Sequence, residues 1–355
     1  MVSTVVSPEF QITVNKKALT GQFLSALQSL KVEEEINLPS MFSFNINIVN
    51  PKDNSWQGVN LDTFAPGDVV QISMGLKKPE VLIVGEISAL DPTFGPCSSL
   101  DVRGYDGLYR LSFGEFTRTF QNQTDGQIAA KMAKEAGLTP KTETPKLTQT
   151  TVYQKEISNY NFLLKRIQLY AFEIMVRDKD FIFRASKEGG PPVFTLDYAK
   201  DLDEIQLNLR VLTKGSKYEV LGWDAKKGKV IKGEVTGGGS SAKMGGKETG
   251  YDVSKDYFDV QRKDPSSKVS APFYNIQDAA SAKTIADGLS QSELNQFIEG
   301  EGTCEGNPKV RAGINIGLAG LSQRFNGTYY VTAATHSIDD ENGYVTTFKV
   351  RRTGV

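Results

Sequence analysis

The chain has 355 residues, with 41 Lys and Arg set against 42 Asp and Glu, for a net charge of −1. Charges this evenly matched, without long basic runs and without aromatic residues interleaved among basic ones, exclude a nucleic-acid footprint. No apolar run approaches the roughly 18–20 residues that span a bilayer, and Met1-Val2-Ser3-Thr4 lacks the basic and apolar regions of a signal peptide. A chain of this length is expected to form more than one domain. Its cysteines, Cys97 and Cys304, are far apart and have no ligand-like neighbours. They read as reduced structural thiols, not as a disulfide framework or a zinc site.

The first hundred residues read as β. Phe10, Ile12 and Val14 alternate before an Asn15-Lys16-Lys17 turn, and residues 32–36 alternate apolar with acidic. Phe42, Phe44, Ile46 and Ile48 place apolar groups on one strand face. The stretch 51–58 is turn-rich, and Ala65-Pro66-Gly67-Asp68 makes a second turn. From about Phe116 the period changes. Thr124 or Asp125 caps a helix through Ile128, Met132 and Ala136 that stops at Gly137, and Pro140 and Pro145 break the chain. Ser158 or Asn159 opens a second helix with Leu163, Ile167 and Tyr170 on one face. A hairpin follows, Phe172, Ile174 and Val176 returning through Phe181 and Phe183.

Strand character resumes at 205–209, 218–223 and 229–233, followed by a Gly/Ser-rich flexible loop, 237–247. The longest helical pattern runs from about Asn275 to Phe297, with Gly288 as a candidate interruption. The closing strands turn at Asp340-Glu341-Asn342-Gly343, where Asn-Gly favours a tight reversal.

An internal echo links the two ends. Residues 69–75, 81–91 and 98–103 have counterparts in 314–320, 329–339 and 346–351. The middle strands both end on an apolar-acidic step, Leu90-Asp91 and Ile338-Asp339, and at that offset Leu100 falls on Phe348 and Val102 on Val350. A β-module carried twice in one chain becomes six similar modules in a threefold homo-oligomer, which suits a sixfold partner.

The motifs of catalysis are not met. Gly246-Lys247 lacks the P-loop spacing, and the glycines of 300–306 lack that of a dinucleotide fingerprint. His336 is the sole histidine, so any Ser-His or Cys-His arrangement would depend on it, with Cys304 a conceivable nucleophile that no spacing supports. The runs Glu33-Glu34-Glu35 and Asp339-Asp340 are neighbours whose carboxylates point apart, unlike a glycosidase pair. No catalytic, cofactor-binding or metal-ligating residue is expected. A carbohydrate-binding module would need exposed aromatic platforms, and Trp56 and Trp223 are the only tryptophans.

Several stretches together resemble the VgrG and phage late control protein D family. They are residues 158–167 running into 171–176 and 181–184, the Gly222-Trp223-Asp224 strand end with 231–233, the closing run 327–348, and the early 102–106. The resemblance implies a β-rich α+β fold of two related β-barrel domains, an inserted α/β domain and a further helical segment. It divides the chain into a first barrel (1–115), an α/β insert (116–190), strands shared between barrels (191–270), a helical segment (271–310) and closing strands of the second barrel (311–355). It further implies a non-enzymatic homotrimeric hub that adapts a sixfold, Hcp-like inner tube to a threefold spike. Implied partners are an OB-fold/β-helix spike, a PAAR-like tip and other baseplate proteins. Assembly would occur in the bacterial cytoplasm before incorporation into a virion or a phage tail-like particle. The rival reading is a tail-associated cell-wall hydrolase working through Glu301 or His336.

Overall fold

The structure is a computed structural model that describes residues 8–48, 61–96, 98–147, 149–214, 217–224, 227–237, 242–260, 266–270, 276 and 278–355. The turn-rich stretch 51–58 with Trp56, Cys97, and residues 238–241 of the Gly/Ser loop lie outside them.

In chain order, β1 (Glu9–Val14), β2 (Lys17–Ala18), α1 (Gln22–Ala26), β3 (Leu27–Glu35), β4 (Met41–Asn47), β5 (Val69–Gly75), β6 (Glu80–Thr93) and β7 (Ser99–Asp106) form the first half. A first insert follows: β8 (Phe116–Gln121), α2 (Asp125–Glu135), β9 (Thr139–Thr142), β10 (Thr151–Ile157), α3 (Asn159–Ile167), β11 (Phe172–Arg177) and β12 (Asp180–Ala185). After β13 (Thr195–Asp197) and β14 (Glu204–Leu209) comes a second insert: β15 (Lys217–Asp224), β16 (Lys229–Thr236), α4 (Gly250–Val260), β17 (Ser266–Ser270) and α5 (Ala279–Leu294). The chain closes with β18 (Ile298–Glu305), β19 (Asn315–Ala319), β20 (Gly327–Asp339) and β21 (Gly343–Arg352).

Among the described residues, one sheet of thirteen strands runs β14-β18-β21-β20-β3-β4-β7-β6-β5-β1-β2, with β13 on β19 and β19 on β20. β20 joins the halves: residues 327–330 pair with β19, and residues 333–339 pair with β3. The alternation in β4 buries Phe42, Phe44 and Ile46, because successive side chains of a strand face opposite sides. They meet Ile12 and Val14 of β1, Val32 of β3, Ile72 of β5, Ile87 of β6 and Val102 of β7 in one core, which Ile338 and Tyr344 of the β20–β21 hairpin close.

In the first insert, α2 begins with a capping box between Thr124 and Gln127, and Gly137 follows it at φ 75°. Ile128 and Met132 of α2, and Phe162 and Leu163 of α3, pack with Ile174, Phe181 and Phe183 of the β11–β12 hairpin. Pro140 does not break the chain here. It lies in β9, an edge strand parallel to β12, where a missing N–H is tolerated.

The expected use of 191–270 as strands shared between barrels is corrected. Among the described residues of this stretch only β13 and β14 enter the main sheet, whereas β15, β16 and β17 make a sheet of their own. Ala282, Ile285 and Ala286 of α5 share a core with Tyr218, Val220, Ile231 and Val235 of that sheet, and the same core runs on into Ile298, Phe348 and Val350 of the main one. The helical segment 271–310 likewise resolves into α5, capped by the Asp278 carboxylate accepting from Ser281 N at 2.6 Å, and the strand β18. Gly288 does not interrupt α5. A Cβ there would sit 2.4 Å from the Leu169 carbonyl oxygen, so glycine permits the helix to touch the turn between α3 and β11 of the first insert.

The described part of the expected flexible loop, 242–247, is fixed in place. Met244 is buried and its carbonyl accepts from Thr328 N at 3.1 Å, and Lys247 N donates to Val355 O at 2.6 Å.

Candidate functional site

His336, Cys304, Glu34 and Asp339 are each engaged or buried within the fold. His336 is fully buried, with Nδ1 3.0 Å from the Tyr344 hydroxyl and Nε2 3.0 Å from the Val310 carbonyl oxygen. The carbonyl can only accept, so Nε2 carries the proton and Nδ1 is the acceptor. Burial pushes the pKa of this imidazole down to about 4, outweighing the attraction of Glu34. Cys304 is buried too, and burial raises its thiol to about 12. It shares a cross-strand row with His336, but Thr346 of β21 stands between them. Two strand spacings, about 10 Å, preclude a Cys–His pair. The two carboxylate runs also divide: Glu33 pairs with Lys31, while Glu34 turns inward to Arg311. Asp339 accepts from Glu341 N and Asn342 N at 3.0 and 2.7 Å, organising the closing hairpin, with Gly343 at φ 68°.

Gly246 and Lys247 lie against the C-terminal residues, and Gly300 and Gly302 lie within β18. Glu301 lines a cleft of 820 Å³ between the β3–β4 turn, α3, α5 and the strands β18 and β21. Trp223 stands exposed beside Val230 at the end of the β15–β16 hairpin, a single ring and not a platform. Among the described residues no group of His, Cys, Asp and Glu is arranged to hold a metal ion.

The feature that organises the molecule is a repeated unit of five strands. The cross-strand row Glu33–Met41–Tyr105–Glu86–Val69 runs over β3, β4, β7, β6 and β5. Its counterpart, Asn208–Glu299–Arg351–Tyr330–Asn315, runs over β14, β18, β21, β20 and β19. Each middle strand carries a β-bulge at the same point: Ser88 is skipped in the β6–β7 pairing and Thr332 in the β20–β21 pairing. The Ser88 hydroxyl donates to Arg103 O at 3.3 Å, and that of Thr332 to Lys349 O at 3.4 Å. This register corrects the match read from sequence. Ser88 falls on Thr332 and Val102 on Phe348, so Leu90-Asp91 and Ile338-Asp339 are not equivalent.

Buried ion pairs weld the copies and the first insert together. Arg311 Nε donates to Glu34 at 2.7 Å, and its Nη atoms reach Val81 O and Leu82 O at 3.1 and 2.6 Å, across the start of β6. Burial opposes ionisation of Glu34, but Arg311 prevails and holds its pKa below the usual carboxylate value. Glu173 of β11 is pushed up by burial against the pull of its partners. It accepts from the Tyr330 hydroxyl at 2.6 Å and from Arg184 Nε at 2.8 Å. Arg177 Nη2 donates to Ala312 O at 2.5 Å. An arginine lies close to each of the two equivalent connections, β5–β6 and β19–β20: Arg311 bonds the first residues of β6, just after the first connection, and the buried Arg352 donates to Arg324 O within the second at 3.1 Å. These partners lie on separate elements, and no local pattern in the sequence announced them.

The family model of the Alg8 N-terminal domain matches residues 4–340. The chain belongs to the Alg8 N-terminal domain family. The VgrG and late control protein D membership suggested by the motifs is thus not the one the family model assigns. Comparison with curated protein sequences gives no match. In solved structures, the chain is similar to the 43 kDa tail protein of prophage MuSo2 from Shewanella oneidensis, at 13% identity over 98% of each chain and a TM-score of 0.69. A tail protein from Neisseria meningitidis is similar at 10% identity over 98% of this chain and 96% of that one, with a TM-score of 0.68. A type VI secretion system component of E. coli, described as structurally similar to the T4 bacteriophage tail proteins gp27 and gp5, is similar at 11% identity over 97% of this chain and 77% of that one, with a TM-score of 0.60. At these identities the likeness is one of fold: the chain has a β-rich fold like that of these tail proteins.

Proposed function

We propose that this chain is a non-enzymatic structural component of a contractile tail or injection apparatus: a homotrimeric hub joining a sixfold inner tube to a threefold spike. The observation that carries the proposal is the five-strand unit repeated in register, down to the hydroxyl-bearing bulge. The tail-protein fold of the similar structures supports it. On this reading the copies are two barrel-like modules, the closing residues 311–355 completing the second and the insert 116–190 lying outside the ring. Three chains offer six similar surfaces, and the β5–β6 and β19–β20 connections meet the Hcp-like tube protein. The spike, its tip and other baseplate proteins bind elsewhere on the trimer, which assembles in the bacterial cytoplasm and ends in the particle.

Light scattering of the purified chain tests this reading. A mass of three chains, with rings seen by electron microscopy, is the expected result. A monomer at every concentration and in the presence of tube protein would overturn it.

A further inference from the structure

The repeated unit is joined to itself once within the chain, where β3 pairs with β20. That junction sets Ala333 opposite Glu35, Thr335 opposite Glu33 and Ser337 opposite Lys31. Ile36 N donates to Thr332 O at 2.9 Å, which fixes the phase: the even-numbered residues of both strands face each other through the backbone. The counterparts of these two strands are β14 and β6, and among the described residues both have open edges. β14 pairs only with β18, and beyond Ile87 the side of β6 away from β7 has no strand on it. Because Arg210 N donates to Phe297 O, the backbone groups of Leu209, Leu207 and Ile205 point outward from β14. These are the counterparts of Glu34, Val32 and Leu30, the residues of β3 that face β20.

We propose that β14 of one chain adds antiparallel to residues 89–93 of β6 in a second copy, in the register of the internal β3–β20 junction. This rests on the trimeric reading above and names the seam that builds it. Transferring the register places Ala89 opposite Arg210, Asp91 opposite Asn208 and Thr93 opposite Gln206. No like charges oppose each other, and Asp91 lies diagonal to Arg210, within reach across a sheet. Pro92 takes the place of His336 and offers a carbonyl without a donor. The seam therefore has one hydrogen bond fewer than the internal junction, at a position where an edge strand accepts proline. Strand addition of this kind draws its affinity from main-chain bonds. The two patches differ, so the contact runs head to tail and closes into a ring when its rotation repeats that of the internal junction.

Paired cysteines read the seam directly. Asp91 and Asn208 form a non-hydrogen-bonded pair in the transferred register, with Cα atoms about 4.5 Å apart, within disulfide range. Co-expressed Asp91→Cys and Asn208→Cys chains should form a covalent dimer on mild oxidation that neither single variant forms. The double variant should yield three linked chains, and Asp91→Cys with Gln206→Cys, out of register, should link several-fold less. A trimer by light scattering with no Asp91–Asn208 link would overturn the seam and leave the trimer standing. A monomer by light scattering, also without a link, would overturn both.

Discussion

The two copies of the five-strand unit place an acidic and a basic side chain at the same buried position. At the end of β7 the first copy has Asp106, whose carboxylate accepts from Leu108 N at 2.9 Å and Ser40 N at 3.1 Å and turns the chain toward the first insert. At the end of β21 the second copy has Arg352, whose guanidinium lies over Tyr329 and grips the β19–β20 connection. The β-ladder has been kept while the exit from it has diverged. The entry differs as well, for the short β3–β4 turn of the first copy is replaced by the whole second insert between β14 and β18. Duplication thus preserved the hydrogen-bond register, which every strand depends on, and freed the ends, which only their neighbours read.

The weld between the copies should be the most sensitive point. Arg311→Ala leaves Glu34 buried without its partner and should cost about 3–5 kcal/mol, as broken buried pairs do. Denaturant unfolding would measure it, and the double change Glu34→Gln with Arg311→Met should recover most of the loss. An undiminished midpoint in Arg311→Ala would mean that the copies do not rely on this pair.

The next effect separates the copies by pH. Burial raises Asp106 to about 7 in the folded chain, above its ordinary 3.8. The unfolded chain therefore releases this proton first, and the Asp106 contribution to stability falls as pH rises from about 4 to about 7. His336, held down to about 4, acts in the opposite sense: its contribution rises with pH from about 4 to about 6.5. The two slopes offset each other in the native chain. Asp106→Asn keeps the acceptor for Leu108 N, gives up the one for Ser40 N and removes one slope, so its stability relative to the native chain should rise by about 2–4 kcal/mol between pH 4 and pH 8. Its melting temperature should fall more steeply on acidification. A parallel response in both proteins would show that Asp106 is ionised in the fold.

The smallest effect tests the equivalence of the bulges. Ser88→Ala and Thr332→Val each remove one hydroxyl bond and should each cost about 0.5–1.5 kcal/mol in thermal unfolding. Similar losses would support the shared register, whereas a loss at one site alone would show that only that bulge depends on its hydroxyl.

The strands of the first core were legible because the alternation of Phe42, Phe44 and Ile46 is written locally. The echo between the chain ends was legible too, but the apolar-acidic steps that drew attention to it sit near hairpin ends of unequal length. The true marker, a serine and a threonine skipped by the ladder, has no sequence signature. Sheet membership of β15–β17 was misread because nothing in a strand's own residues states which sheet it joins. The helix α4 was missed although Thr249 and Asp252 announce it: Thr249 N donates to the Asp252 carboxylate at 2.8 Å, and Asp252 N to the Thr249 hydroxyl at 3.3 Å. The weld is a partnership of distant residues, visible only once the chain has folded.

The two-sided pairing of β20 also bears on how the chain is born. β3 leaves the ribosome early, yet the strand that covers one of its edges lies about 300 residues downstream, some 15–60 s later at ordinary rates of synthesis. Throughout that interval a nascent chain carries a bare strand edge able to capture its neighbours on the same polysome. A helper that shields this edge, or slow translation through the second insert, would then govern how much of the protein reaches its native state.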